Sequence, residues 1–187
     1  PFSDPMADGP IIQKSYRRAL KNGVNLDEVL SLVKIFRKKN NYTPIVLMGY
    51  YNPFFQKGIK SFLKEAEKVG VDGILIVDLP PENDDEIRKH LSDYKLKVIR
   101  LASPTTDRQR LNKILKISSG FLYYVSITGI TGSGLSKFNT LKNAYNKLKR
   151  YSKIPIVVGF GINTPEKAKI VSKYADGVVV GSAIINE

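Results

Sequence analysis

Six short apolar runs, each ending in a loop of small or polar residues, recur along the chain at residues 45–50, 73–79, 98–102, 121–127, 154–160 and 177–181. Lysine-rich segments of helical period separate them. Strand, helix, strand repetition implies a parallel sheet, because each strand needs a crossover helix to run in the same direction as the last. The runs are nearly continuous, as in Ile74-Leu75-Ile76-Val77 and Val178-Val179-Val180, which suits strands covered on both faces. Helices are expected over residues 10–22, 26–40, 57–69, 81–94, 108–117, 140–151 and 165–174. Asp8-Gly9-Pro10 and Asn163-Thr164-Pro165-Glu166 each set a capping residue before an N-terminal proline, and Gly23, Gly70 and Gly120 follow helices as stops.

At 187 residues the chain is ample for one buried core but short of the ~250 typical of a closed eight-stranded barrel. It opens on Pro1-Phe2-Ser3-Asp4-Pro5, which reads as a loop, and stops at Ile184-Ile185-Asn186-Glu187, where a helix is expected to follow the sixth run. The expectation is a single domain over residues 1–187, incomplete at both ends. Composition, 42% hydrophobic and 25% charged, is that of a soluble globular protein, and no run is long enough to span a membrane. Zero cysteines remove disulfide frameworks, thiolate catalysis and Cys-ligated metals together, and leave the cytoplasm as the default compartment.

Thirty Lys plus Arg against 17 Asp plus Glu give a net charge of +13, a balance that favours polyanions. The densest groups, Arg37-Lys38-Lys39 and Lys147-Leu148-Lys149-Arg150, sit in expected helices beside Leu32, Val33, Phe36, Leu141, Tyr145 and Leu148 at core-facing spacing. They read as solvated helix faces, and no nucleic-acid recognition motif accompanies them.

Fold class alone leaves a doubly wound sheet and an open barrel as options. The loops after the last three runs carry Gly129-Ile130-Thr131-Gly132-Ser133-Gly134, Gly159-Phe160-Gly161-Ile162 and Gly181-Ser182-Ala183. Glycine loops after the final strands of a barrel, with a helix starting after the last, form a common phosphate-binding arrangement in which backbone N–H groups meet the anion. A tight turn at Gly159 and Gly161 and a helix start at Gly181 explain the same residues structurally. Leu135-Ser136 follows Gly134 where a P-loop needs Lys and Ser or Thr, which rejects a Walker site, and Gly159-Phe160-Gly161 lacks the third glycine of a dinucleotide fingerprint.

The segment Pro1-Phe2-Ser3-Asp4-Pro5-Met6-Ala7-Asp8-Gly9-Pro10 resembles the signature of the tryptophan synthase alpha chain family. The likeness continues in order through Asp78-Leu79-Pro80-Pro81-Glu82, Tyr123-Tyr124-Val125-Ser126, Gly129-Ile130-Thr131-Gly132, Gly159-Phe160-Gly161-Ile162 and Gly181-Ser182-Ala183-Ile184. The resemblance implies an α/β TIM (β/α)8 barrel, of which this chain would hold strands three to eight. It also implies a lyase that cleaves indole-3-glycerol phosphate by retro-aldol chemistry into indole and glyceraldehyde 3-phosphate. Such cleavage needs a proton delivered to ring carbon C3, charge stabilised at the indole nitrogen and a proton removed from the adjacent glycerol hydroxyl.

By position in the family motif, Asp8 accepts the indole N–H; Asp-Gly-Pro is also a common turn and helix cap, and one aspartate can do both. Tyr123 matches a tyrosine near the scissile region, with a core tyrosine as the structural alternative. Tyr50, Leu75, Leu101 and Phe160 match the indole pocket and serve equally as barrel core. Gly132, Gly161, Gly181 and Ser182 would hold the phosphate, and Thr131 would belong to a lid that excludes water. The family's principal acid–base glutamate lies a few residues before the opening motif, so the chain as written is expected to be nearly inactive. Asp78 reads as a loop-orienting or interface residue.

The resemblance further implies a pyridoxal-phosphate beta chain as partner in an alpha2beta2 assembly, facing Asp4, Pro5, Asn52, Pro53 and Phe54. An exposed Phe54-Phe55 pair after Asn-Pro is an independent hint of an interface. No cofactor or metal is expected in this chain itself. The alternatives are another phosphate-binding barrel enzyme of the same pathway and a noncatalytic activator of a beta chain.

Overall fold

The computed structural model of the chain describes residues 1–126, 135–159 and 161–187. It divides into two compact units, Pro1–Val98 and Ile99–Glu187, each built on a parallel sheet.

In the first unit, helices α1 (Pro10–Lys21) and α2 (Leu26–Arg37) precede strand β1 (Val46–Gly49). Helices α3 (Tyr51–Lys57) and α4 (Ile59–Val69) lead to β2 (Gly73–Ile76), then a 3₁₀ turn (Pro81–Asn83), α5 (Asp85–Leu91) and β3 (Lys97–Val98). The strands lie in the order β1-β2-β3, all parallel. Ile74 and Ile76 of β2 turn to the helices, where they join Leu30 and Val33 of α2 and Phe62, Leu63 and Ala66 of α4 in one apolar cluster.

The second unit runs β4 (Arg100–Ala102), α6 (Arg108–Ile117), β5 (Leu122–Val125), α7 (Leu135–Lys149), β6 (Ile156–Gly159), α8 (Pro165–Ser172), β7 (Gly177–Val178) and α9 (Ser182–Ile185). Its sheet is also parallel and in chain order, β4-β5-β6-β7. Leu122, Tyr124, Ile156 and Val158 pack against Leu111, Ile114, Leu141, Tyr145 and Leu148. Strand order decides between the two fold options: a doubly wound sheet reverses direction at a switch point, whereas both sheets here add each strand beside its predecessor, as a (β/α)8 barrel does.

Several expectations are corrected. The run 98–102 divides: Val98 pairs with Ile74 of β2, while Arg100–Ala102 pairs with β5. The helix expected over 57–69 starts at Ile59, because Gly58 at φ +82° breaks it from α3, a helix that sequence reading left as loop. The helix expected over 81–94 is interrupted at Asp84, which is fully buried and accepts from Arg88 Nε at 2.6 Å. On α2 the buried positions are Leu30 and Val33, while Leu32 is 61% and Phe36 40% exposed, so these two are not core-facing. Helix α6 matches its expected span, with Asp107 accepting the Arg110 N–H as its cap, and Thr164 caps α8 ahead of Pro165 as expected. Among the described residues no helix is long and apolar enough to cross a membrane.

Candidate functional site

At the carboxyl end of β1 the chain turns through Tyr50 into α3. Tyr50 is only 1% exposed, and burying a phenol is tolerable only if its hydroxyl is hydrogen-bonded. The Tyr50 Oη accepts from the Ala7 N–H at 3.0 Å and donates to Asp8 Oδ2 at 2.6 Å. Phe2 stacks on the Tyr50 ring with centroids 5.2 Å apart. Three contacts thus tie loop 1–9 to one side chain. Burial, followed by the hydrogen bond to Asp8, pushes the Tyr50 hydroxyl well above the usual tyrosine range, so it stays protonated and keeps donating.

This geometry corrects the capping reading of Asp8. The N-cap of α1 is Gly9, with no side-chain cap. What Asp8 gives the helix is its carbonyl, which accepts from Gln13 Nε2 at 2.8 Å. Its carboxylate is committed to Tyr50.

Alternation along the strands separates the helix-facing side chains from those on the opposite face of each sheet. Leu75, 3% exposed, lies between the helix-facing Ile74 and Ile76 and beside Met48 in the register. In the second unit, Leu101, Tyr123 and Val157 are register partners and alternate with the helix-facing Ala102, Leu122, Tyr124 and Val158. A Cβ on Gly159 would lie 2.4 Å from the Tyr123 hydroxyl oxygen, so the phenol runs over Gly159 toward the carboxyl end of β6. A side chain there would occupy the space of the ring.

Gly161 sits at φ +78°, a left-handed conformation that favours glycine. Gly181 is the N-cap of α9 and Ser182 its first residue, both exposed. The first N–H groups of a helix have no acceptor within it, so this turn can offer backbone donors to an anion. Gly132, Thr131 and Phe160 lie outside the described residues.

Of the expected partner-facing residues, Asp4 and Asn52 are exposed, and Pro5 and Pro53 are half-buried. Phe54 is corrected: it is 4% exposed and packs on Phe62 with ring centroids 4.5 Å apart. Its neighbour Phe55, 51% exposed, carries the accessible ring. Helix α3 explains the difference, since adjacent residues on a helix project about 100° apart, enough to turn one ring into the core and leave the next at the surface. Asp78 is loop-orienting: its Oδ1 accepts the Tyr51 N–H at 2.7 Å and ties the start of α3 to the loop after β2.

Sequence reasoning missed Tyr16, whose hydroxyl is raised first by burial and then by the charge of Asp8. Ile12, Tyr16 and Ala19 are half-buried on α1, and their helical spacing was the available signal. Phe2, Tyr16, Met48 and Tyr50 line a small cleft in the first unit. No cluster of potential metal ligands occurs among the described residues.

The family model described as tryptophan synthase alpha chain matches residues 1–187. The chain is similar over its whole length to tryptophan synthase subunit alpha from Legionella pneumophila str. Paris, at 46% identity and a TM-score of 0.92, covering 69% of that chain. It is similar to the tryptophan synthase A-subunit of Pyrococcus furiosus at 42% identity and a TM-score of 0.87, covering 75% of that chain. A structure of the tryptophan synthase a2b2 complex from Pyrococcus furiosus matches at 42% identity and a TM-score of 0.88, again across all of this chain and 75% of the other. The singly wound parallel strands are those of a partial TIM barrel, the type of enzyme is a lyase of the tryptophan pathway, and the chain belongs to the tryptophan synthase alpha chain family.

Proposed function

We propose that the protein to which these residues belong performs the alpha reaction, retro-aldol cleavage of indole-3-glycerol phosphate to indole and glyceraldehyde 3-phosphate. The observation that carries the reading is the Asp8 carboxylate, which is left unused by the helix it precedes and is held instead by a buried phenol. In the cleavage the bond between indole C3 and the glycerol carbon breaks. C3 gains a proton, the hydroxyl on the departing carbon loses one, and that carbon becomes the aldehyde. Asp8 accepts the indole N–H and stabilises positive charge that develops on the ring. Tyr50, Leu75, Leu101 and Phe160 supply apolar walls for the indole, and Tyr123 orients the glycerol or supports proton transfer. Gly132, Gly161, Gly181 and Ser182 donate to the phosphate, and Thr131 belongs to a covering loop.

The chain itself requires no cofactor or metal and works in the cytoplasm. Its partner is a beta chain carrying pyridoxal phosphate, in an alpha2beta2 assembly; the a2b2 complex of the Pyrococcus furiosus relative supports this. Asp4, Pro5, Asn52, Pro53 and the exposed Phe55 would face it.

The test is indole release from indole-3-glycerol phosphate by the full-length chain with a beta chain present, beside Asp8→Asn. The expected result is release by the wild type and a loss of at least about 100-fold in the variant, the lower end of what a positioned acid–base or charge-stabilising group contributes, with the melting temperature unchanged. A folded, beta-bound wild type that releases no indole would overturn the lyase assignment in favour of an activator or another phosphate-binding barrel enzyme.

A further inference from the structure

Resting on that reading of Asp8, we propose that Tyr50 is its positioning residue: the phenol holds one carboxylate oxygen so that the other is presented to the ligand N–H. An aspartate on a loop samples several rotamers, and a fixed donor selects one. Here the donor is fixed at three levels. The backbone of Tyr50 follows β1 directly and caps α3, whose first N–H is anchored on Asp78 at 2.7 Å. The ring is stacked by Phe2. The hydroxyl proton has its direction set, because the Ala7 N–H can only donate to Oη, so the phenol's own proton goes to Asp8 Oδ2.

The rest of the loop offers little restraint on this carboxylate. Its turns, Met6 N–H to the Asp4 carbonyl at 2.8 Å and Asp8 N–H to the Pro5 carbonyl at 3.1 Å, fix backbone and leave the side chain free to rotate. Among the described residues Oδ1 takes no hydrogen bond, which leaves it as the acceptor for an incoming donor. Tyr16, the other phenol beside Asp8, interacts with it through charge without a hydrogen bond to it.

The experiment uses the full-length chain with its beta chain and measures indole release for wild type, Tyr50→Phe, Asp8→Asn, the double variant and Phe2→Leu. Tyr50→Phe keeps the stacked ring and removes only the donor. Its kcat is expected to fall about 10- to 100-fold, the worth of a hydrogen bond to a charged group, with KM changed less than about threefold because the loss lies in the transition state. In the Asp8→Asn background the same change should cost less than about twofold, since the pair acts as a unit. Phe2→Leu, which keeps the hydroxyl and thins the packing, should lose less kcat than Tyr50→Phe, and melting curves report folding for every variant. An unchanged kcat in Tyr50→Phe, a rise in KM alone, an equal loss in both backgrounds, or an equal loss in Phe2→Leu overturns the positioning role while the lyase reading stands. A wild type without indole release, or an Asp8→Asn as active as wild type, overturns the lyase reading and this inference with it.

Discussion

The two units present different chemistry at the carboxyl ends of their strands. The first presents side chains: Asp8, Tyr50 and Phe2 form an interlocked group in which each contact is made by a particular functional group. The second presents backbone, in Gly161 at φ +78° and in the Gly181-Ser182 turn, with Tyr123 laid over a glycine that leaves it room. A side-chain site is broken by removing atoms and a backbone site by adding them. The contrast suits the proposed substrate, whose ring N–H calls for one directed acceptor and whose phosphate calls for several N–H donors.

The contrast predicts a graded series. Asp8→Asn is isosteric and should give the largest effect, the loss of indole release of about 100-fold or more described above. Gly159→Ala adds a single methyl, yet that carbon would lie 2.8 Å from Tyr123 Cζ, so the ring must rotate away. Overpacking of this kind costs about 1–3 kcal/mol, readable as a lower denaturant midpoint, and activity should fall through misplaced Tyr123. Normal stability in Gly159→Ala would mean that the ring has somewhere else to go.

A smaller effect is expected at Asp176, which follows α8 and ties β6 and β7. Burial pushes its carboxyl up, but hydrogen bonds from Lys149 Nζ, from the Ile156 N–H and from Tyr145 outweigh it and hold the group below the usual aspartate range. A carboxyl depressed in the folded state adds stability above its unfolded value, about 3.9, and loses it as pH falls through the folded value. Wild type and Asp176→Asn should therefore differ most in melting temperature at neutral pH, begin to converge only below about pH 4, and close the gap as the pH falls through the folded value; a gap that persists in stronger acid would refute the account. Smallest of all is Ser182→Ala. If the turn works through its N–H groups, KM for the phosphate substrate should rise less than about tenfold, below what losing a side-chain hydrogen bond to a charged acceptor such as phosphate costs. A larger rise would move the second unit into the side-chain class.

Legibility followed the same division. Apolar runs located the strands because burial on both faces leaves few polar residues, and Thr164 was legible as a cap because capping is local. Helix α3 escaped because Tyr51-Asn52-Pro53 reads as a turn, whereas its first N–H is satisfied by Asp78, 27 residues away. Phe54 and Phe55 were indistinguishable until that helix turned one inward and the other out. The exposure of Leu32 and Phe36 has the same origin: the helical period offers more than one apolar stripe on α2, and the contact with α4 uses the one through Leu30 and Val33.

Asp8 shows where local reasoning ends. From Asp8-Gly9-Pro10 alone, a turn and helix cap is the stronger reading, and the family resemblance could name the other role without showing what frees the carboxylate for it. By itself the sequence determined the strand–helix rhythm, the strand-end glycines, the absence of thiol chemistry and the family, all of which are local patterns or their order along the chain. The tertiary structure alone decided that each sheet winds one way, that Phe54 belongs to the core, and that Asp8 turns from its own helix to Tyr50, 42 residues on. Those outcomes depend on which distant groups meet, and hydrogen bonds and packing between distant residues leave no periodic trace in a chain.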